Sequence, residues 1–504
     1  MSGLYLRRFS WWSGCCFLWL SGVAAAGGEQ REDPMRMVLP PALPSAGEVL
    51  PAPKSSPAKT TAQVSAPASA PAPETAPAPA PAPAPASAPT SPDPVPFERV
   101  SSETAPVTPP PLEAPTRDFE ALGAEVLGIV REHFYDRISA EKWADRHGRY
   151  AINLRRADEF ARRTELRLGE LPGSHTAYFP LEHPQLAELR AIYRQTSDAE
   201  RMDSIGIELA MLPFGWFVRE VFPGSPAEQA GLLRGDRLLT VDGFTFDPVL
   251  AFRNKEGKAV RLTFQREIGG PLLATRVAPR RVAPREEWLE NTRRNLRLLE
   301  RQGHFVGYVR LFACTGQELN LLLEEGILSS FQRAETLILD LRSGYGNCNP
   351  DLMNLFNPLL PTFTQVGRDG FQRELSRRWN RPVYVLINQG TRGGKEVLAY
   401  LLQAHQLALV VGEKSAGAVM QARGYTLSDG SLLQVAVGEV LINGERLEGQ
   451  GVVPDHPVLD ELTYQAGRDP LLERAIELSL GMVKAPVLPV PAGTEDPHHP
   501  LASP

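Results

Sequence analysis

Of the 47 prolines in this chain, 24 lie between residues 34 and 115, interspersed with Ala and Ser and culminating in the run APAPAPAPAPA. Proline fixes φ and has no amide hydrogen, and Ala and Ser bury little. Such a stretch cannot offset the entropy of ordering it and reads as an extended, polyproline-like tether. Residues 27–116 are therefore expected to be a disordered linker, and the proline-rich end, 485–504, a disordered tail. The fold has to be built from what lies between them.

Ahead of the tether stand Arg7-Arg8, an apolar stretch from Trp11 to Val23, and Ala24-Ala25-Ala26. This is the pattern of a secretory signal peptide over residues 1–26, with export to a periplasm or cell envelope as the expectation. The same apolar stretch, left uncleaved, would anchor the chain to a membrane. The net charge is −6, and no basic block interleaves with aromatics, so no nucleic-acid partner is expected. No group of His, Cys or Asp has metal-ligand spacing, His498-His499 being too short a pair, and neither a metal nor a cofactor is expected. Two of the four cysteines fall in the signal region, leaving Cys314 and Cys348, each just after a predicted strand (YVRLFAC and LILDLRSGYGNC). A disulfide and two buried thiols both remain open readings.

From 117 to 198 the pattern is helical, with Phe119, Leu122, Val126 and Val130, and later Leu186, Leu189 and Ile192, on one face. Residues 199–270 change to short β-rich runs separated by turn signals. Their sequence, Ser204-Ile205-Gly206-Ile207 followed by VFPGSPAEQAGLLRGDRLLTVDG, resembles a PDZ domain. The resemblance implies that the loop Ser204–Ile207 offers backbone N–H groups to the C-terminal carboxylate of a peptide added as an extra strand. An Arg-rich helix is expected over 285–302, with Trp288, Leu289, Leu296 and Leu299 as its apolar side. Strands and helices then alternate through 285–480, as in an α/β core with a mostly parallel sheet and crossover helices. The fold class expected is thus multidomain α/β: a helical segment, a β-rich module, and this core.

The segment VYVLINQGTRGGKEVLAYLLQA at 383–404 reads as a buried strand, a glycine-rich turn and a helix. Glycines permit a sharp turn, and the opening helix presents unpaired N–H groups able to hold a developing oxyanion. It has the frame of a nucleophile-presenting turn with no nucleophile at its centre.

The order of motifs, from LPGSHTAYF through the β-rich module, TLILDLRSGYGN and the glycine-rich turn to RLEGQGVVPDH, resembles the tail-specific or C-terminal processing serine peptidases over about 117–460. Some details look closer to the tricorn-protease branch. The resemblance implies His175 as general base, Ser174 as the group orienting it, and Glu448 as their support. It puts the nucleophile three residues before Glu396, where this chain has Gly393. The lysine-dependent branch would place its base at Ala418. Gly346 and Gly394 match the oxyanion-binding positions. Thr391 and Ser415, with Lys395 and Lys414 nearby, are the alternative candidates for the missing nucleophile.

Three readings follow: a degenerate peptidase that binds extended or C-terminal peptide segments; an active serine-type endopeptidase using Thr391 or Ser415; and an envelope scaffold recruiting another protein. The partners expected are polypeptides, and the sequence does not give the oligomeric state.

Overall fold

The computed structural model describes residues 97–100, 107–108, 117–194 and 201–481, without 315, 347, 362 and 375–377. The expected signal peptide, most of the linker and the tail 485–504 lie outside the described residues.

Helices Phe119–His133 and Arg137–His147 are N-capped by Asp118 and Asp136, whose carboxylates accept from the first free amides of each helix. Phe119, Leu122, Val126 and Val130 are buried as their spacing predicts. They pack with helix Ala157–Leu168 against Leu433, Val435 and Ala436 of strand Leu432–Gly438, some 300 residues away in sequence. Strand Ala177–Phe179 pairs antiparallel with that same strand. The loop joining helix Ala157–Leu168 to strand Ala177–Phe179 is thereby fixed beside the chain's C-terminal third.

The β-rich module is an antiparallel sheet in the order Glu98–Val100, Leu272–Val277, Val260–Gln265, Arg237–Val241, Gly215–Val221, Ile207–Leu212. Its first strand lies inside the stretch read as disordered linker, and its Leu272–Val277 strand lies beyond residue 270. Both boundaries are corrected accordingly. The physical reason is Phe97, which stacks edge-on against Phe264 at 5.4 Å and lies under the Arg266 guanidinium. Gly231 leaves room for it, since a Cβ there would come within 2.8 Å of the Phe97 ring. Phe97 is thus an aromatic anchor next to a sequence made largely of Pro, Ala and Ser.

The core sheet has the order Arg297–Arg301, His304–Arg310, Thr336–Asp340, Val383–Ile387, Leu409–Gly412, His456–Pro457. Its first pair is antiparallel and the next four are parallel. The other named sheets are antiparallel except for the short pair Ala313–Cys314 and Tyr345–Gly346, so a mostly parallel sheet describes the core sheet but not the sheets of the molecule taken together. Thr336–Asp340 and Val383–Ile387 are buried on both faces. Leu337, Leu339, Val383, Val385 and Ile387 meet helices Gln317–Ser330 and Gly394–Ala404, while Ile338, Tyr384 and Leu386 meet helix Pro470–Ser479.

The helix expected over 285–302 ends at Arg294. Arg297–Arg301 instead forms a hairpin with His304–Arg310, turned by Gln302 and Gly303, both at positive φ. Cys314 and Cys348 are joined in a disulfide, with Cα atoms 4.6 Å apart. Among the described residues, no helix is long and apolar enough to cross a membrane, and no group of three His, Cys, Asp or Glu side chains is placed to hold a metal ion.

Candidate active site

Strand Val383–Ile387 delivers the chain to Asn388, whose side chain organises the turn. Its Oδ1 accepts from the amides of Ser343 (2.9 Å) and Gly390 (3.0 Å), and its Nδ2 donates to Asp460 (2.7 Å). Gly390 is required by this close approach, because a Cβ would fall 2.7 Å from Ser343 Oγ. The turn ends at Gly393, with φ 63° and ψ −136°, directly before helix Gly394–Ala404. Its amide donates to Ala418 O at 2.7 Å. This sharp, positive-φ junction of strand and helix is the backbone shape that presents a nucleophile in hydrolases of the elbow type. Here the presenting residue has no side chain.

The first helical turn is locked from below. Glu396 is buried and accepts from Ser415 Oγ (2.6 Å) and the amides of Gly417 (2.6 Å) and Ala418 (2.8 Å). Burial pushes its carboxyl up, opposed by these donors. Lys395 is fully buried and donates to the carbonyls of Leu311 and Ser343. Burial, then repulsion from Arg310, brings its ammonium down to about 7. Lys414 is exposed.

The candidate base lies on the loop before strand Ala177–Phe179. Glu448 Oε1 accepts from the Ser174 amide at 2.7 Å, and Oε2 accepts from Ser174 Oγ (3.0 Å) and the amides of Val419 (2.7 Å) and Met420 (3.2 Å). With the serine hydroxyl proton directed to the carboxylate, Ser174 Oγ accepts from His175 Nδ1, 2.7 Å away. That fixes the tautomer and leaves a lone pair on Nε2, the form in which an imidazole can take up a proton. Burial, reinforced by the charge of Arg392 and opposed by Glu448, holds His175 down at about 4, so it is neutral at pH 7. The structure thus brings Ser174, His175 and Glu448 into one relay.

Neither candidate replacement nucleophile is available in this arrangement. Thr391 is fully buried, with Oγ1 donating to Leu341 O (3.1 Å) and accepting from Asn388 N (3.0 Å). Ser415 is 6% exposed, and its Oγ donates to Glu396 while accepting from Val452 N at 2.7 Å. Both hydroxyls hold the turn together. The Gly346 carbonyl oxygen lies 3.4 Å from where a Cβ on residue 393 would stand. In this conformation that loop turns an acceptor toward the vacant position, whereas an oxyanion needs donors. The helix-opening amide of Gly394 has no acceptor within the helix, as at any helix start. Ala418, at the position of a lysine base, contributes only backbone groups: its carbonyl to Gly393 and its amide to Glu396.

In the β-rich module, strand Ile207–Leu212 pairs along one side only among the described residues, at the end of the sheet order. Within the loop Ser204–Ile207, the Gly206 amide donates to Ser204 Oγ at 2.9 Å, and that hydroxyl donates to Glu287, whose carboxyl burial pushes up. An acidic group therefore flanks the loop expected to receive a carboxylate. From this module Glu208 and Glu220 each take a 2.7 Å bond from Arg310 of the core, and Arg234 donates to Asp460 at 2.6 Å. Asp460 also receives Arg342 (3.1 Å) and Asn388, so a buried chain of charges links the module to the glycine-rich turn. Asn388 and this network carry no local signal in the sequence, because Ser343, Asp460 and the partners of Arg310 and Arg234 are tens to hundreds of residues away.

An α/β core whose strand–turn–helix junction has the shape of a nucleophile elbow is wired by buried charges to a β-rich module. Residues 305–458 match peptidase family S41 and residues 217–266 match the PDZ domain. The carboxyl-terminal-processing protease of Synechocystis is 26% identical over 311 residues, covering 57% of this chain and 71% of that protein. The chloroplastic carboxyl-terminal-processing peptidase 2 of Arabidopsis thaliana is 28% identical over 267 residues, covering 49% and 50%. CtpB of Bacillus subtilis is 25% identical over 294 residues, covering 54% and 59%. Residues 305–458 thus carry the peptidase family S41 match beside a PDZ match, and the chain is similar to carboxyl-terminal-processing proteases.

Proposed function

We propose that this protein is an exported member of the C-terminal processing peptidases that holds extended polypeptide, C-terminal tails among it, without cutting it. The observation that carries the reading is Gly393, at the end of a turn that keeps its nucleophile-presenting shape and is joined through Ala418 and Val419 to an assembled Glu448–Ser174–His175 relay. The engagement of Thr391 and Ser415 in the scaffold, and the Gly346 carbonyl facing the vacancy, support it further. The open edge of Ile207–Leu212 suits capture of an extended segment by strand addition. The N-terminal apolar run and the proline tether suit a periplasmic or envelope location at some distance from an anchoring point.

The full chain, incubated with an unfolded protein and with free-C-terminus peptides, is expected to bind without yielding products detectable by mass spectrometry. The comparator is Gly393→Ser. Its Cβ meets nothing closer than 3.4 Å, and only the left-handed φ resists it, at roughly 1–2 kcal/mol. Cleavage that appears in the serine variant and is lost again with His175→Ala is the expected outcome. Cleavage by the unmodified chain that disappears with His175→Ala overturns the proposal.

A further inference from the structure

A protein that holds C-terminal tails needs a seat for the terminal carboxylate, and the loop Ser204–Ile207 is poorly made for one. Its Gly206 amide already donates to Ser204 Oγ, and that hydroxyl stands 3.2 and 3.3 Å from the two carboxylate oxygens of buried Glu287. A second carboxylate brought there would find one donor taken and a carboxyl group beside it. The glycine-rich turn offers the opposite. Arg392, between Thr391 and Gly393, is exposed and makes a single long bond, from Nε to Gly390 O at 3.4 Å. Among the described residues its guanidinium forms no ion pair. The carboxylates of the site are engaged elsewhere, Glu396 by Ser415 Oγ and two amides, Glu448 by Ser174 and the amides of Val419 and Met420.

The groups that feel the Arg392 charge show where it acts. It bears on His175 from the loop before strand Ala177–Phe179, on Tyr345 from the short strand Tyr345–Gly346, and on Glu396 from helix Gly394–Ala404. These elements converge on the turn at 393, so a positive fork stands beside the one residue there that has no side chain. The other exposed feature is the Gly346 carbonyl, which faces the same position. A guanidinium and a carbonyl acceptor side by side call for a ligand that carries a carboxylate and an N–H close together, and the last residue of a polypeptide carries both. An internal backbone segment has the N–H groups and no charge. We propose that Arg392 receives the free α-carboxylate of the polypeptide held at this turn, so that the end of a chain is read here and not at the loop Ser204–Ile207. The proposal rests on the reading that the protein binds polypeptide without cutting it.

The full chain is titrated, by fluorescence anisotropy, into peptides labelled at the amino end: one with a free carboxylate, the same sequence as a carboxamide, and a carboxamide whose last residue is Asp. The free acid is expected to bind about tenfold more tightly than the plain amide, with the ratio shrinking at high salt. Arg392→Gln is expected to bring that ratio to about one while leaving the affinity for the amide unchanged, and Arg392→Lys to keep part of it. A merely structural role for Arg392 would move both affinities together. Equal binding of acid and amide by the unmodified chain overturns this proposal alone. A ratio that survives Arg392→Gln overturns it in favour of the loop Ser204–Ile207, and an Asp-ended amide that binds like the free acid overturns the reading of a chain end. Binding of none of the peptides fails the underlying reading and this proposal with it, whereas cleavage products in the unmodified mixture count against the non-cutting reading and leave the acid-to-amide ratio to decide on Arg392.

Discussion

His175 is held neutral by its surroundings, and that has a sign. Its folded value of about 4 lies below its ordinary value of 6.5, and burial brings His183 to about 4 as well. Between those values the unfolded chain binds more protons than the folded one, so the stabilisation from each group is complete above pH 6.5 and is lost as pH falls toward 4. Urea unfolding across this window should show a shallower pH slope in His175→Gln than in the unmodified chain. A slope that does not change would mean that His175 is not held neutral in the fold. Ser174, His175, Glu448 and the glycine at 393 could all be picked out from motif order. Asn388, which shapes the turn, could not, because an asparagine after a buried strand is an ordinary turn residue until Ser343 and Asp460 are brought to it.

At the scale of elements, alternation and glycine placement identified the strand, turn and helix of 383–404, since Val383–Ile387 is buried on both faces and Gly394 opens the helix. The Arg-rich segment after 284 misled for a definite reason: Leu296 and Leu299 continue a helical spacing from Trp288, yet the positive-φ pair Gln302 and Gly303 makes a hairpin of that stretch. Nor could sequence choose between thiols and disulfide for Cys314 and Cys348. The bridge closes a separation of 34 residues and sits beside Gly346, whose missing Cβ would come within 2.5 Å of the Cys314 backbone. Replacing both cysteines by serine is expected to cost about 3–4 kcal/mol from loop entropy, read as a lower midpoint in chemical unfolding. Hydrogen exchange should quicken first over residues 343–349. A midpoint that does not move would show that the cysteines are not bonded in the folded protein.

Across the whole molecule, the PDZ domain and the peptidase core meet through buried charges. Arg310 is 1% exposed and joins Glu208 and Glu220 of one to Asp340 of the other. Removing one member of such a cluster strands the rest, so Arg310→Ala is expected to destabilise the protein by roughly 3–5 kcal/mol. Arg310→Met with Glu208→Gln and Glu220→Gln should recover part of that loss, because it neutralises both sides together. Equal stability of Arg310→Ala and the unmodified chain would show that the contact does not hold the two parts together. None of this was readable from composition: a net charge of −6 says nothing about which ions are buried.

The stretch 34–115 reads as a tether from its prolines, but the expected end does not hold, since Phe97 and strand Glu98–Val100 belong to the PDZ sheet. That junction has a mechanical meaning. A pull along the polypeptide from the amino-terminal side would not reach a slack hinge; it would load the edge strand first, against three residue pairs with Leu272–Ala274 and the ring contact with Phe264. Tension would therefore strip this strand from the PDZ module before it reached the peptidase core, making the attachment point a force-sensitive one.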